Sequence, residues 1–317
     1  MTHQKLDLHE LPNPGCQKCR RHIRKQSTDD GLCQLATSGV DSGALRCVGP
    51  WARDKLYFLT QYLGIFADGM RYKWQGNLHY IELCSGPGRC VDRVSGLEMD
   101  GTALAVMGHP AFQQIRTATF LDYNRTVVDA LTSRIASAGH SDRACAIEAD
   151  YNDPRNIAAI AFSRVQKGLA LVFVDPTDCS VPFETIAALA QILPNADFII
   201  NVALGTDATR NIKPAILNAD SKSRAKYAGF LGGQEFFDDP DVVKMAELGQ
   251  DDKLRAKFRE CYRDAMRSLK YAHFATECVE HYYDLFFACR HERGLQFWKR
   301  AQKYKPNNQG TFDLALS

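Results

Sequence analysis

Leu78-His-Tyr-Ile-Glu-Leu-Cys-Ser-Gly-Pro-Gly-Arg89 is the stretch that decides the fold. A mostly apolar run reaches an acid, Glu82, and a turn carrying Gly86 and Gly88 ends it. Such a run reads as a parallel strand buried on both faces, delivering a glycine loop to the carboxyl edge of a sheet. Open α/β sheets bind their ligands at that edge.

Downstream, apolar runs at 118–122, 145–149, 169–175 and 197–203 alternate with amphipathic helical stretches at 124–138, at 155–166 and after Pro182. Two further runs, 276–283 and 285–289, read as a closing antiparallel hairpin. The pattern predicts an α/β, Rossmann-like, doubly wound and mostly parallel seven-stranded sheet. Upstream, Pro50 opens a helix whose Trp51, Leu56, Leu59, Leu63, Phe66 and Met70 form one inward stripe. Residues 204–250 break the rhythm and read as an insertion within a main domain spanning 50–317. The segment 85–101 reads as a loop.

Composition excludes several classes. The 317 residues are 45% hydrophobic and 24% charged, as in an ordinary globular protein. No apolar run approaches the roughly 20 residues of a membrane span, and the first residues are too polar for a signal peptide, so a cytoplasmic protein is expected. A net charge of +2 says little about partners. Its distribution says more. Lys18, Arg20, Arg21, Arg24 and Lys25 crowd one stretch that reads equally as a phosphate-contacting patch or a solvated loop. The basic residues of helix 252–271 read first as a solvated face and second as a nucleic-acid track.

Four of the eleven cysteines fall within the first 47 residues, spaced Cys16-x2-Cys19-x13-Cys33-x13-Cys47. Within a cysteine-rich extension spanning 1–49, residues 1–14 read as a loosely held arm, and residues 15–49 hold few large apolar side chains and cannot bury enough surface to fold unaided. A four-thiolate zinc site would supply the missing folding energy. His22 is an alternative ligand, an iron–sulfur cluster would use the same residues, and ordinary thiols remain the bland reading. The other seven cysteines lie in apolar segments and read as small hydrophobes.

Glu82, Asp122, Asp150 and Asp175 stand at the ends of four successive predicted strands. Carboxylates gathered at one edge repel, so their order points to a ligand site. A dinucleotide site needs G-x-G-x-x-G, but Val91 stands where its third glycine belongs, and Asp122 lies 34 residues past Gly88 rather than about 20. S-adenosylmethionine has no phosphate and needs only close backbone approach with acids for its ribose and adenine. The expected cofactor set is Glu82, Cys84, Gly86, Gly88, Asp122, Asp150 and Tyr151, on a class I methyltransferase fold. A metal-dependent nuclease using the acid row is a further alternative.

Val48-Gly-Pro-Trp-Ala-Arg53-x-Lys55-Leu56, the strand-loop stretch Tyr80–Arg89, Gly101-Thr102, Val174-Asp-Pro-Thr177, Pro182-Phe-Glu-Thr-Ile186 and Ala288-Cys-Arg-His291 together resemble the three-Cys-motif partner (TcmP) family over most of residues 48–300. The resemblance implies a methyltransferase-like fold and a radical-SAM-like partner protein that itself carries the three cysteines. Relatives more often carry Asp-x-Phe-Ala where this chain has Glu82-Leu-Cys-Ser, and the resemblance does not reach residues 1–47.

Asp175-Pro176-Thr177 also resembles the Asp/Asn-Pro-Pro-aromatic motif of amino-group methyltransferases, with Thr177 and Asp178 replacing the second proline and the stacking aromatic. Asp175 is the expected catalytic residue. Pro176, Thr177, Arg210 and Asn211 are expected to meet the substrate. Cys179 lacks the preceding proline of a cytosine-methyltransferase nucleophile and reads as a plain small residue. The expected function is a methyltransferase acting on nucleic acid, the alternative a non-catalytic cofactor-binding or scaffold protein.

Overall fold

The computed structural model describes residues 10–19, 31–165, 167–279 and 282–303. His22 and the arginines and lysine at 20–25 lie outside them. The central sheet has the order β10-β11-β9-β8-β3-β6-β7. Its strands are β3 (Leu78–Leu83), β6 (Thr117–Asp122), β7 (Ala144–Glu148), β8 (Leu169–Val174), β9 (Ala196–Val202), β10 (His273–Val279) and β11 (Tyr283–Cys289). Strands β7, β6, β3, β8 and β9 run parallel; β11 is antiparallel to β9 and to β10. This is the predicted Rossmann-like, doubly wound and mostly parallel sheet, with the hairpin closing one side.

The chain leaves β3 on one side for β6 and β7, then returns on the other for β8. That reversal opens a crevice at the carboxyl end of β3, where doubly wound sheets bind ligands. All six residues of β3 and of β8 are buried, because helices cover both faces. On one face lie α2 (Ala52–Met70), α3 (Thr102–Gly108), α4 (Arg125–Ser137) and α12 (Glu292–Gln302). Around them pack Tyr62, Phe66, Phe120, Phe173, Phe287 and Trp298. The other face carries α5 (Pro154–Arg164), α6 (Phe183–Ile192) and the segment at 204–250. That segment is helical: α7 (Thr209–Leu217), α8 (Lys222–Leu231), α9 (Glu235–Asp238) and α10 (Pro240–Glu247), followed by α11 (Asp251–Ser268). Phe230 stacks on Phe258 and Tyr262, which fixes the inserted helices to α11.

The front of the chain differs from expectation. Residues 85–101 are not a plain loop but form a hairpin of β4 (Arg89–Asp92) and β5 (Leu97–Asp100). Strands β1 (Leu11–Pro12) and β2 (Arg46–Val48) flank it, giving a second sheet ordered β1-β5-β4-β2. The short helix α1 (Pro14–Cys19) lies between β1 and β2 in the chain.

A buried carboxylate, not a large core, organises this clasp. Glu98 accepts hydrogen bonds from Ser38 Oγ (2.6 Å), Gly39 N (2.8 Å), Asn13 Nδ2 (3.0 Å) and Arg89 Nε (2.5 Å). A carboxylate with four directed donors of this kind specifies one arrangement strongly. From the main domain, Arg134 on α4 reaches Asp41, Ala44 O and Pro87 O, tying clasp and glycine loop together.

Candidate functional site

Three neighbouring cavities line the carboxyl edge of the sheet. The first, about 230 Å³, lies among Cys84, Asp122, Tyr123, Ala149, Tyr151, Thr177 and Ser180. A narrow one of about 30 Å³ follows the glycine loop, past Ser85, Gly86, Gly88, Gly101 and Thr102. The third, about 370 Å³, is lined by Trp51, Arg93, Asp175, Asn201, Arg210 and Tyr283 among others. Arg46 borders all three, and Lys55 and Asp175 border the second and third.

In the first cavity Asp122, the last residue of β6, accepts hydrogen bonds from Gly86 N (3.0 Å) and Asn124 N (3.1 Å). Each carboxylate oxygen keeps a lone pair, so two ligand hydroxyls have acceptors. The backbone of Cys84 sits at φ 61°, in the left-handed region that a cysteine rarely adopts. This turns the loop sharply out of β3. Gly86 is also left-handed, and a Cβ there would lie 3.3 Å from the Arg46 guanidinium. After Gly88 the chain enters strand β4, and the next helix starts only at Thr102. A pyrophosphate site requires the glycine loop to run straight into a helix N-terminus. The topology here lacks it.

At the other end of the crevice Asp175 follows β8 directly. Lys55 Nζ holds both of its oxygens, at 2.8 and 2.6 Å, and Asn201 Nδ2 donates to it at 2.9 Å. Asp175 and Asn201 are buried. Because its amide nitrogen faces a carboxylate, the orientation of Asn201 is fixed, and its Oδ1 finds no donor among the described residues. Trp51 stacks on Tyr282 at 3.9 Å, meets Tyr283 edge-on, and carries the Arg93 guanidinium 4.7 Å from its ring.

The structure brings together Cys84, Gly86, Gly88, Asp122, Tyr151, Asp175, Pro176, Thr177 and Arg210 along this edge. Glu82 lines no described cavity. It is fully buried, accepts hydrogen bonds from Tyr80 and Thr102, and burial raises its pKa to about 8. It braces the strand under the loop. Asp150 is exposed and caps its own turn through Asn152, so it too departs from the expected row. Asn211 hydrogen bonds to Asp207 one helical turn back and serves the fold of the insertion. With Glu82 beneath the loop and Asp150 turned outward, the acid row that motivated the nuclease reading is not formed.

Three important residues were not read from the sequence: Arg46, Lys55 and Asn201. Signals for two were present. Lys55 interrupts the apolar i, i+4 series from Trp51 to Leu59, and Asn201 is a polar residue inside an apolar strand. Arg46 gave none, since its place depends on the clasp.

For the four N-terminal cysteines the residue types fit zinc but the placement does not gather them. Cys16 packs with Ala36, Leu45 and Val91, and Cys33 lies against that cluster. Burial first, then the nearby Cys47, Cys33 and Cys19, raises the Cys16 thiol to about 11. Among the described residues no group of three or more His, Cys, Asp or Glu is arranged to hold a metal ion. Cys179 is buried, and burial pushes its thiol far up, as for a packing residue rather than a nucleophile. The basic helix α11 is largely neutralised. Arg255, Lys257, Arg259, Arg263 and Arg267 each pair with an acid. No helix among the described residues is long and apolar enough to cross a membrane.

No family model matches the chain, and no curated protein matches it. Solved structures of similar shape include a putative caffeoyl-CoA O-methyltransferase from Staphylococcus aureus (11% identity, 72% of this chain, 82% of that one, TM-score 0.35). An O-methyltransferase family protein from Burkholderia thailandensis is 16% identical over 71% of this chain and 58% of its own, with TM-score 0.35. The methyltransferase MycE of mycinamycin biosynthesis, solved with Mg and SAH, is 16% identical over 70% of this chain (TM-score 0.34); the chain spans 47% of its length.

Proposed function

We propose that this chain is an S-adenosylmethionine-dependent methyltransferase acting on nucleic acid. The observation that carries the cofactor assignment is the glycine loop's exit into a strand, beside a cavity floored by Asp122. This arrangement offers acceptors for ribose hydroxyls and no helix end for a pyrophosphate. The adenosine end would occupy the cavity of Asp122 and Tyr151, and the methionine end the narrow channel past Gly86 and Gly88. The bound cofactor supplies an electrophilic methyl group. Asp175, held by Lys55 and Asn201, orients a hydrogen-bond donor of the acceptor substrate at the junction of the channel and the larger cavity.

Calorimetry with S-adenosylmethionine and S-adenosylhomocysteine tests the cofactor site; binding lost in Asp122→Ala supports it, and no binding to the intact protein refutes it. Labelled-methyl transfer to RNA and DNA tests the reaction, with Asp175→Ala expected to bind S-adenosylhomocysteine but transfer nothing. Intact cofactor binding without transfer from the unaltered chain would favour the scaffold reading, which the departure of Thr177 and Asp178 from the aromatic motif supports.

The TcmP resemblance adds a radical-SAM-like three-Cys-motif protein as partner, which co-purification tests. Zinc on Cys16, Cys19, Cys33 and Cys47 is a separate proposal, supported by their spacing in the sequence; about one zinc per chain upholds it and a metal-free folded protein removes it.

A further inference from the structure

The clasp sends one side chain among the three cavities, and, resting on the cofactor reading above, that side chain governs how the cofactor enters. It is Arg46, which borders the first cavity, the channel along the glycine loop and the larger cavity beyond. A Cβ on Gly86 would meet Arg46 Cζ at 3.3 Å and its Nε and Nη1 at 3.4 Å, so the planar head lies directly on the loop. Nη1 donates to Cys84 O at 3.3 Å, across the turn out of β3. The channel left beside it is about 30 Å³, room for two or three waters at about 10–15 Å³ each. An amino-acid tail with its ammonium and carboxylate is several times larger. The guanidinium also repels the ammonium and the sulfonium of the cofactor.

The backbone of Arg46 is fixed on both sides. It pairs with Cys90 of β4 in parallel register and with Leu32 through an antiparallel bridge. Cys33 N to Leu45 O (2.8 Å) and Cys47 N to Gly31 O (3.0 Å) close that bridge. The side chain, by contrast, is weakly held. Its bond to Cys84 is long for an N–H···O contact and is the only one it makes among the described residues, and its buried Nε has no partner. A buried donor left unpaired costs about 1–3 kcal/mol, so the clasp imposes this position and the side chain's own contacts do little to keep it. The larger cavity, about 370 Å³, is open to the same head.

We propose that Arg46 is a gate on the amino-acid tail of the cofactor. With its head on Gly86 it closes the channel and leaves the first cavity free for the adenosine end. Rotated into the larger cavity, it admits the tail. The clasp backbone stays in place throughout. The apparent affinity for a tail-bearing ligand is then the intrinsic one reduced by the fraction of molecules in which Arg46 has rotated away.

Calorimetry on the full chain tests this with S-adenosylhomocysteine and 5′-methylthioadenosine, which keeps the adenosine and the sulfur but lacks the tail. Arg46→Ala is expected to tighten S-adenosylhomocysteine at least about tenfold and to leave methylthioadenosine within about twofold, as for a gate open in about a tenth of molecules or fewer. Arg46→Lys withdraws the planar head but keeps stem and charge, and should shift the same ligand in the same direction by less. It decides the question if alanine loosens the clasp, which limited proteolysis within residues 31–48 reveals. Weaker S-adenosylhomocysteine binding by both variants would overturn the proposal, since Arg46 would then hold the cofactor's carboxylate. Equal shifts for the two ligands would overturn it as well and make Arg46 a wall of the first cavity. Unchanged affinities in all three proteins would remove the gate and leave the cofactor reading standing. Binding of neither ligand to any of the three proteins would instead fail the cofactor reading, and the gate with it.

Discussion

Strand β8 is six apolar residues, Leu169–Val174, all buried between helical layers. The clasp built from β1, β2, β4 and β5 is only partly buried, and its centre is the buried Glu98 with four polar donors around it. One region is held by area removed from water, which is non-directional and tolerant of repacking. The other is held by geometry, where each donor depends on one carboxylate. The difference matters for function, because the clasp places Arg46 over the glycine loop while the sheet places Asp122 and Asp175.

Two substitutions break this comparison from opposite sides. Phe173→Ala empties a fully buried aromatic from β8 and is expected to lower global stability by about 3–5 kcal/mol. Urea unfolding followed by circular dichroism measures it. Glu98→Ala removes one of the two carboxylates that hold the buried Arg89 and takes an acceptor from Asn13, Ser38 and Gly39, at a cost of about 3 kcal/mol. That loss should be regional. Limited proteolysis is expected to cut within residues 10–48 while the domain from Trp51 onward stays intact. Cooperative unfolding of the whole chain instead would show that the clasp and the sheet are one unit.

The same contrast explains what was legible in the sequence. Apolar runs such as 169–174 and 197–202 announce buried strands by composition alone, so the alternation of strands and helices followed from periodicity. Segment 85–101 carried no such signal. Its strands are four residues each, and their partners β1 and β2 lie far back in the chain. A polar network assembled across 85 residues of separation, as between Asn13 and Glu98, leaves no local pattern. Glu82 and Asp150 misled for a related reason. Strand-end position tells which edge an acid is near, but side-chain direction depends on a neighbour: Thr102 draws Glu82 beneath the loop, and Asn152 draws Asp150 outward.

Glu82 sharpens the comparison further, as a polar group placed inside the apolar region. Its folded pKa of about 8 stands above the ordinary 4.5, chiefly through burial. The folded state therefore binds this proton more tightly than the unfolded state. The stabilisation is complete below about pH 4.5 and is lost progressively as pH rises to 8, by up to about 1.4 kcal/mol per pH unit. Glu82→Gln removes the titration while keeping the shape. Between pH 6 and 7 the unaltered protein should lose about 1 kcal/mol that the variant keeps, measured by paired denaturant curves; parallel pH profiles would place the proton elsewhere.

The smallest effects are expected on α11, whose charges lie outside both regions. Lys257 pairs with Asp239 at 3.3 Å on an exposed surface, and such pairs contribute little. Lys257→Gln should change stability by less than about 0.5 kcal/mol. It should also leave the salt dependence of oligonucleotide binding unchanged, whereas Arg210→Gln should lower that slope by about one. The two residues carry equal charge, so net electrostatics would predict equal effects. What separates them is the Asp239 carboxylate already beside Lys257 and the cavity mouth beside Arg210. Equal slopes for the two variants would mean that nucleic acid is gripped by the helix face and not at the sheet edge.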